Sequence, residues 1–398
     1  MNGAQAVMLD FDQITAPLGA QVFLRDYWLR QLVHIRGKAG RFTALLSWDA
    51  LNGILQQHRL TPPRLKLYKD GQPLDPSQYL TPAMFGVPRV DAGRLVLSLA
   101  QGASLILDDV QEMAPHVRDL MGAFQDALKT DAFANLYAGW HNNNAFNRHW
   151  DPQEAIVLQL AGRKRWRVYH PTRPNPLQND EAPPPTAPPA WEGTLNDGDV
   201  LYIPRGWWHE AFPLGEPSLH LTVSLTPPTA LDYLGWVMSR LRNHAELRAA
   251  LPPAGDGTWR ADRTAKISAL VADALRAAPL EEFQLQWEAN MRPNPHMHLP
   301  DAPYEQLAAL SETSLVRLAS LHRLAFARTG ENFEFAAAGR LWTVPKALQP
   351  ALAQLQNNRE FAVRELGLAL PDAGARADLL KSLGVLAHAG VVLARKGA

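Results

Sequence analysis

The spacing of apolar and polar positions changes rhythm twice along the chain. Up to about residue 130 helical spacing dominates. Val22, Phe23, Tyr27 and Trp28 recur on one face of a helix predicted over 21–32. Ser47 stands where an N-cap belongs, ahead of Leu51, Ile54 and Leu55. KLYKDG (66–71) predicts a strand ending in an Asp-Gly turn. Met113 to Lys129 predicts an amphipathic helix, with Pro115 in its first turn, where a missing N–H costs least.

Between about 132 and 226 the apolar runs shorten to strand length. AFANLY (132–137), AIVLQL (155–160), RWRVY (165–169), DVLYIP (199–204) and LHLTVSL (219–225) are separated by Gly, Pro or Asn turns. Strands this short and this close predict a sandwich or barrel. Eight prolines within 171–190 cannot continue a sheet ladder, so that stretch reads as a surface excursion between two strands. A substrate-facing lid and an inert linker both fit it. After Pro228 helical spacing returns, with Leu231, Leu234, Val237, Met238 and Leu241 on one face and Ile267, Leu270, Val271 and Leu275 on another. RPNPHMHLP (292–300) then marks a boundary. Beyond it, a strand at 341–344, helices near 346–356, 360–368 and 375–387, and a strand at 391–394 predict a winged-helix-like layout. At 398 residues the chain exceeds one ordinary domain. The expected division is 1–230, a β-rich domain with an N-terminal α/β elaboration, then a helical segment at 231–300, then 301–398.

Composition narrows the function. Hydrophobic residues at 46% against 20% charged fit sizeable cores and argue against disorder. Basic and acidic residues both total 39, so no global field draws in nucleic acid or an acidic membrane, and neither is expected as a partner. The lack of cysteine excludes disulfides, thiolate metal sites and cysteine nucleophiles. Without a basic-then-apolar leader at the start or a membrane-length apolar run, a cytoplasmic protein is expected.

The chemistry concentrates in two stretches. NRHWDP (147–152) contains His-x-Asp at the entrance to a strand, and side chains two apart in a strand share a face. His149 and Asp151 therefore present an imidazole and a carboxylate together. DGDVLYIPRGWWH (197–209) supplies a strand, a turn and a second imidazole at His209. Two histidines and one carboxylate form a facial triad that leaves adjacent coordination positions open on iron(II). His220, in an apolar strand, competes as a ligand or as a buried residue orienting one. His141 fits the mouth of a pocket or a solvated loop, and His296 and His298 fit a boundary loop. Trp207 and Trp208 fit a substrate groove or a plug at the barrel end.

HWDPQEAIVLQLAGRKRWRV (149–168), followed by GDVLYIPRGWWHEA (198–211), resembles the JmjC branch of the cupins, and most closely its ribosomal oxygenase (cupin-4) group. The resemblance implies an α+β protein with a double-stranded β-helix (jelly roll) core, a helical linker or dimerisation segment and a C-terminal winged-helix-like domain. It implies a dioxygenase using Fe(II) on His149, Asp151 and His209, with 2-oxoglutarate and O2 as cosubstrates. By position, Lys164 matches the basic residue that meets the distal carboxylate of 2-oxoglutarate. Strand alternation independently turns Lys164 inward between Arg163 and Arg165. Tyr137 and Thr222 are candidate hydroxyls of the same cosubstrate pocket, or satisfied core residues. The implied activity is hydroxylation of a protein or peptide side chain, with ribosomal-protein Arg or His leading. Hydroxylation of a peptide natural product and a non-catalytic metal-binding cupin scaffold are the alternatives. A homodimer through 231–290 is implied too, although that apolar stripe equally fits intramolecular packing.

Overall fold

The computed structural model describes residues 9–81, 86, 88–251, 257–291, 310–320, 324, 326–329, 331–357 and 359–396. The chain divides into two units, 1–227 and 228–398. The boundary expected near 300, with His296 and His298, lies outside the described residues.

The strands of the first unit are β1 (Val33–Ile35), β2 (Leu65–Lys69), β3 (Gln72–Pro73), β4 (Leu80–Thr81), β5 (Arg89–Val90), β6 (Ser104–Leu107) and β7 (Asp131–Gly139). They continue as β8 (Glu154–Ala161), β9 (Lys164–Tyr169), β10 (Trp191–Leu195), β11 (Val200–Ile203), β12 (Trp208–Pro213) and β13 (Ser218–Thr226). Eight of them form one antiparallel sheet, ordered β1-β11-β8-β13-β7-β6-β2-β3, and β10-β9-β12 form a second. Sequential neighbours on different sheets are the mark of a jelly roll, and the fold is an α+β protein on a cupin core.

Alternation gives the large sheet two working faces. Leu219, Leu221, Val223 and Leu225 of β13, with Ile156, Leu158 and Leu160 of β8, join Leu136 of β7 in one apolar core. The helix Pro115–Leu128 covers that face with Val117, Leu120, Met121 and Phe124, each side chain contributing about 2 kcal/mol on burial. The opposite residues, Ala155 and Val157, pack with Trp166 and Val168 of the small sheet. This second layer is the barrel interior.

Local signals act as the sequence predicts at several points. Ser47 caps the helix Trp48–Gln57 by accepting the Ala50 N–H at 3.2 Å. Asp70 and Gly71 both take positive φ, 52° and 78°, as a two-residue hairpin between β2 and β3 requires. The first predicted helix is shorter than expected. It runs through Ala20–Val22 and a π turn at Phe23–Tyr27, and Leu29 at φ 61° ends it ahead of β1.

In the second unit, helices occupy Ala230–Arg240, Gly257–Arg276 and Leu280–Asn290. The strands there are β14 (Leu315–Leu318), β15 (Phe326–Thr329), β16 (Asn332–Ala337), β17 (Arg340–Pro345), β18 (Phe361–Ala362) and β19 (Val392–Arg395). β15-β16-β17 form an antiparallel meander and β18-β14-β19 a second small sheet. The helix Ala373–His388 buries Leu379, Leu383 and Leu386 against the Phe333 and Phe335 cluster.

Candidate metal centre

His149 lies just before β8 and His209 near the start of β12, and their backbones form a two-way bridge, with N–H···O distances of 3.1 and 2.7 Å. That bridge joins a strand entrance of the large sheet to the edge of the small one. It brings the imidazole rings to 4.4 Å between centroids. Each Nδ1 donates to the carbonyl two residues earlier, His149 to Asn147 at 2.8 Å and His209 to Trp207 at 3.1 Å. With Nδ1 carrying the proton, both Nε2 lone pairs face outward as ligand atoms.

Asp151 completes the group. One ligand atom from each of His149, Asp151 and His209 falls within 4.8 Å of the others, and the Asp151 carboxylate lies 3.5 Å from His209 Nε2. Two neutral imidazoles and a carboxylate suit a borderline divalent ion such as iron(II). Burial, then the neighbouring His149, push His209 down to about 4, so it presents an unprotonated nitrogen at neutral pH. His209 is 7% exposed, whereas Asp151 keeps 39% of its side chain accessible. The group thus faces an open mouth from a closed wall.

Behind it lies a cavity lined among others by Tyr137, Phe146, Lys164, Trp166, His220 and Thr222. All three residues read as cosubstrate contacts line it. Lys164 opens β9 and alternation does turn it inward: it is 6% exposed, and no hydrogen bond or ion pair reaches its ammonium among the described residues. Burial lowers it from 10.5 to about 8. A buried cation without an anion invites one. Tyr137 and His220 face each other across the β7–β13 ladder and stack at 4.7 Å with planes 4° apart. His220 is 3% exposed, and its buried Nδ1 has no hydrogen-bond partner among the described residues. Burial, and secondarily the charge of Lys164, hold His220 well below the usual imidazole range. It sits on the cavity wall and is not part of the three-residue metal group.

The turn carrying His209 is pinned from beneath. Glu154 accepts the Arg205 N–H at 3.2 Å and the Tyr202 hydroxyl at 2.5 Å, and Asp151 O accepts the Gly206 N–H at 2.9 Å. Trp208 is 7% exposed, while Trp207 packs against the barrel interior and His170. Neither indole lines the cavity, which favours the plug over the groove. His141 is exposed and does not line it either. Sequence reasoning missed Phe146 and Trp166 as cavity walls. For Trp166 the signal was present, since it shares Lys164's face two residues on.

Comparison with known proteins agrees with this architecture. Residues 110–233 match the family model of the JmjC domain. The rat protein named ribosomal oxygenase 1 is 31% identical over 271 residues, covering 61% of this chain and 42% of that protein. A Drosophila mojavensis protein named bifunctional lysine-specific demethylase and histidyl-hydroxylase NO66 is 29% identical over 261 residues, 59% of this chain and 28% of its own length. The chain thus matches less than half the length of either relative. Among solved structures, Escherichia coli YcfD, titled a ribosomal oxygenase, superposes with a TM-score of 0.61 at 20% identity, covering 95% of this chain and 98% of that one. Another structure of YcfD, titled as a complex with cobalt and 2-oxoglutarate, gives 0.58 at 19% identity over 94% and 97% of the two chains. At such identity the likeness establishes the fold.

Proposed function

We propose, from the JmjC domain that this chain carries at residues 110–233, that it is an Fe(II)- and 2-oxoglutarate-dependent oxygenase hydroxylating a side chain of a protein or peptide. One observation carries the reading: three ligand atoms converge at the mouth of a cavity that also holds a buried lysine with no acidic partner among the described residues. His149, Asp151 and His209 hold the ion. A ferrous ion with 2-oxoglutarate and O2 supplies oxidative decarboxylation to succinate and CO2, coupled to insertion of one oxygen atom into a substrate C–H bond.

The protein's own groups bind, orient and keep water out. Lys164 takes the distal carboxylate in a charge-assisted contact. Tyr137 and Thr222 offer hydroxyls on adjacent strands, and the neutral His220 ring offers a polar edge beside Lys164. Phe146 and Trp166 supply apolar walls that shed water from the reacting end.

The leading substrate is a ribosomal-protein residue, and the cavity favours histidine over arginine. Asp151 is the one carboxylate among the cavity-lining residues, and the metal claims it. Glu210, nearby on β12, is engaged by Arg148 at 3.0 Å and Tyr169 at 2.6 Å. A guanidinium would enter without a counter-charge, at a cost an imidazole avoids. Relatives named histidyl-hydroxylases support the same choice. The proposed organisation is a catalytic domain at 1–230, a helical dimerisation segment at 231–300 and a winged-helix-like domain at 301–398, in a cytoplasmic protein. Exposed Leu231, Leu234 and Met238 support the dimer, and no helix among the described residues is long and apolar enough to cross a membrane.

The test is succinate release with iron and 2-oxoglutarate, followed by intact-mass analysis of ribosomal-protein peptides for a 16 Da gain on histidine. Turnover that survives His149→Ala, or none with any peptide, sinks the reading.

A further inference from the structure

The proline-rich excursion at 171–190 touches the metal centre's support from outside. Thr172 links three parts of the chain through one hydroxyl: it accepts the Trp208 indole N–H at 3.0 Å and donates to the Pro183 carbonyl at 2.7 Å. The first arm of the excursion is therefore tied both to β12 and to the second arm. Pro176, buried in an otherwise exposed stretch, sits against Gly206 so closely that a Cβ there would come within 2.5 Å of its ring. The excursion also fastens itself, since Asp180 accepts the Leu177 N–H at 2.9 Å and pairs with Arg173 at 2.8 Å. Its contacts fall on Gly206 and Trp208, residues that flank the route to His209. Gly206 in turn donates to the Asp151 carbonyl, and the Trp207 carbonyl accepts a hydrogen bond from His209 Nδ1.

We infer that the segment 171–190 is a brace for the metal centre: it presses the Arg205–Trp208 turn from outside while Glu154 and Asp151 hold it from within, and so sets the positions of His209 and Asp151. Two of the three ligands are placed by one turn, and that turn has few fixed conformations of its own. Gly206 lies at φ 80°, where a tight bend needs glycine. Clamping it between a buried carboxylate and a proline ring leaves the ligands little freedom to lose when a metal binds. Thr172, Pro176 and Trp208 are positioning residues in this scheme, and none of them lines the cavity.

The inference rests on the metal assignment above, and Co(II) titration of the full chain, followed by visible absorption, separates the two. The variants are Thr172→Val, Thr172→Ser, Trp208→Phe, the Thr172→Val/Trp208→Phe pair, and a chain with 172–189 replaced by a Gly-Ser linker of equal length. Replacement of the segment is expected to weaken Co(II) binding about 10- to 100-fold, the range for lost support around metal ligands. Thr172→Val and Trp208→Phe should each weaken it several-fold. Their combination should do no more than Thr172→Val alone, because that variant already removes the Trp208 bond along with the one to Pro183, and Thr172→Ser should keep affinity near wild type. Wild-type affinity and an unchanged cobalt spectrum in Thr172→Val and the linker chain, with binding still abolished by His149→Ala, overturn the brace and leave the metal site standing. Binding indifferent to His149→Ala takes down both. The point variants decide the matter if the linker chain does not fold.

Discussion

The two units bury very different side chains. In 1–227 the interior includes Glu154, Gln159, Lys164, Asp199, His209 and His220, whereas the described core of 228–398 is built almost wholly from Leu, Val, Ala and Phe, with Glu288 its one buried ionisable residue. Some of the first unit's charges are satisfied by structure. Burial alone would raise Asp199, but N–H groups of Asn196 and Gly37 and the His34 ring outweigh it and leave it lowered. Lys164 and His220 have no such compensation, and both face the same cavity. Where such groups converge on one cavity they mark where a ligand belongs, and an almost wholly apolar core marks where stability alone was at issue.

The sharpest way to break that contrast is to remove the ligands. His149→Ala, Asp151→Ala and His209→Ala should each abolish succinate production by about a thousandfold or more, if effects on transition-state stabilisation of 4 kcal/mol or above apply. They should leave the apolar unit's melting untouched in calorimetry. A residual rate within tenfold of wild type would dissolve the distinction.

Next in size is Lys164→Met, which sets binding against stability. Affinity for 2-oxoglutarate, read by calorimetry on the cobalt form, should fall at least a hundredfold. Stability without cosubstrate should rise instead. The folded-state value of Lys164, about 8, lies below the unfolded 10.5. Between those values the unfolded chain holds the proton and the folded one does not, so the wild type gains stability as pH rises from 8 to 10.5, by about 3 kcal/mol in all. Below pH 8 the buried cation carries that whole penalty, and the methionine variant should escape it. Urea melts of both proteins at pH 7 and pH 10 test this, and parallel profiles would refute it.

Phe335→Ala probes the other side of the comparison. Fully buried in the meander, it should cost about 3 to 5 kcal/mol, with Co(II) affinity unchanged. Loss of metal binding in a folded variant would show that the apolar unit is not merely structural. The smallest effect is expected of Val385→Ser, at an exposed position on the helix Ala373–His388. It should stay within about half a kcal/mol in the same melts.

Legibility in the sequence follows the same division of labour. β8, β9, β11 and β13 were readable because each carries a run of Val, Ile, Leu or aromatics, and Lys164's inward aim followed from alternation alone. β10 and β12 were not. β10 contains Glu192 and Gly193, and β12 runs through His209 and Glu210 to a terminal proline, so site residues and edge positions erase the apolar rhythm. The contacts of 171–190 with Gly206 and Trp208 carry no local signal, since they join residues some thirty apart through packing rather than periodicity. In the second unit the helices were readable, but of β15-β16-β17 only 341–344 was anticipated. The Phe333 and Phe335 alternation that marks β16 was the overlooked cue.

The bridge between His149 and His209 has a mechanical side. It spans from one sheet to the other, in a chain with no cysteine to tie distant segments covalently. An ion held by both rings would bind only where the ligands converge, in the folded chain, and would leave as the two sheets part. Loading the centre would then lift the melting temperature in step with the logarithm of free metal concentration, making the cation a removable rivet for the barrel as well as its reagent.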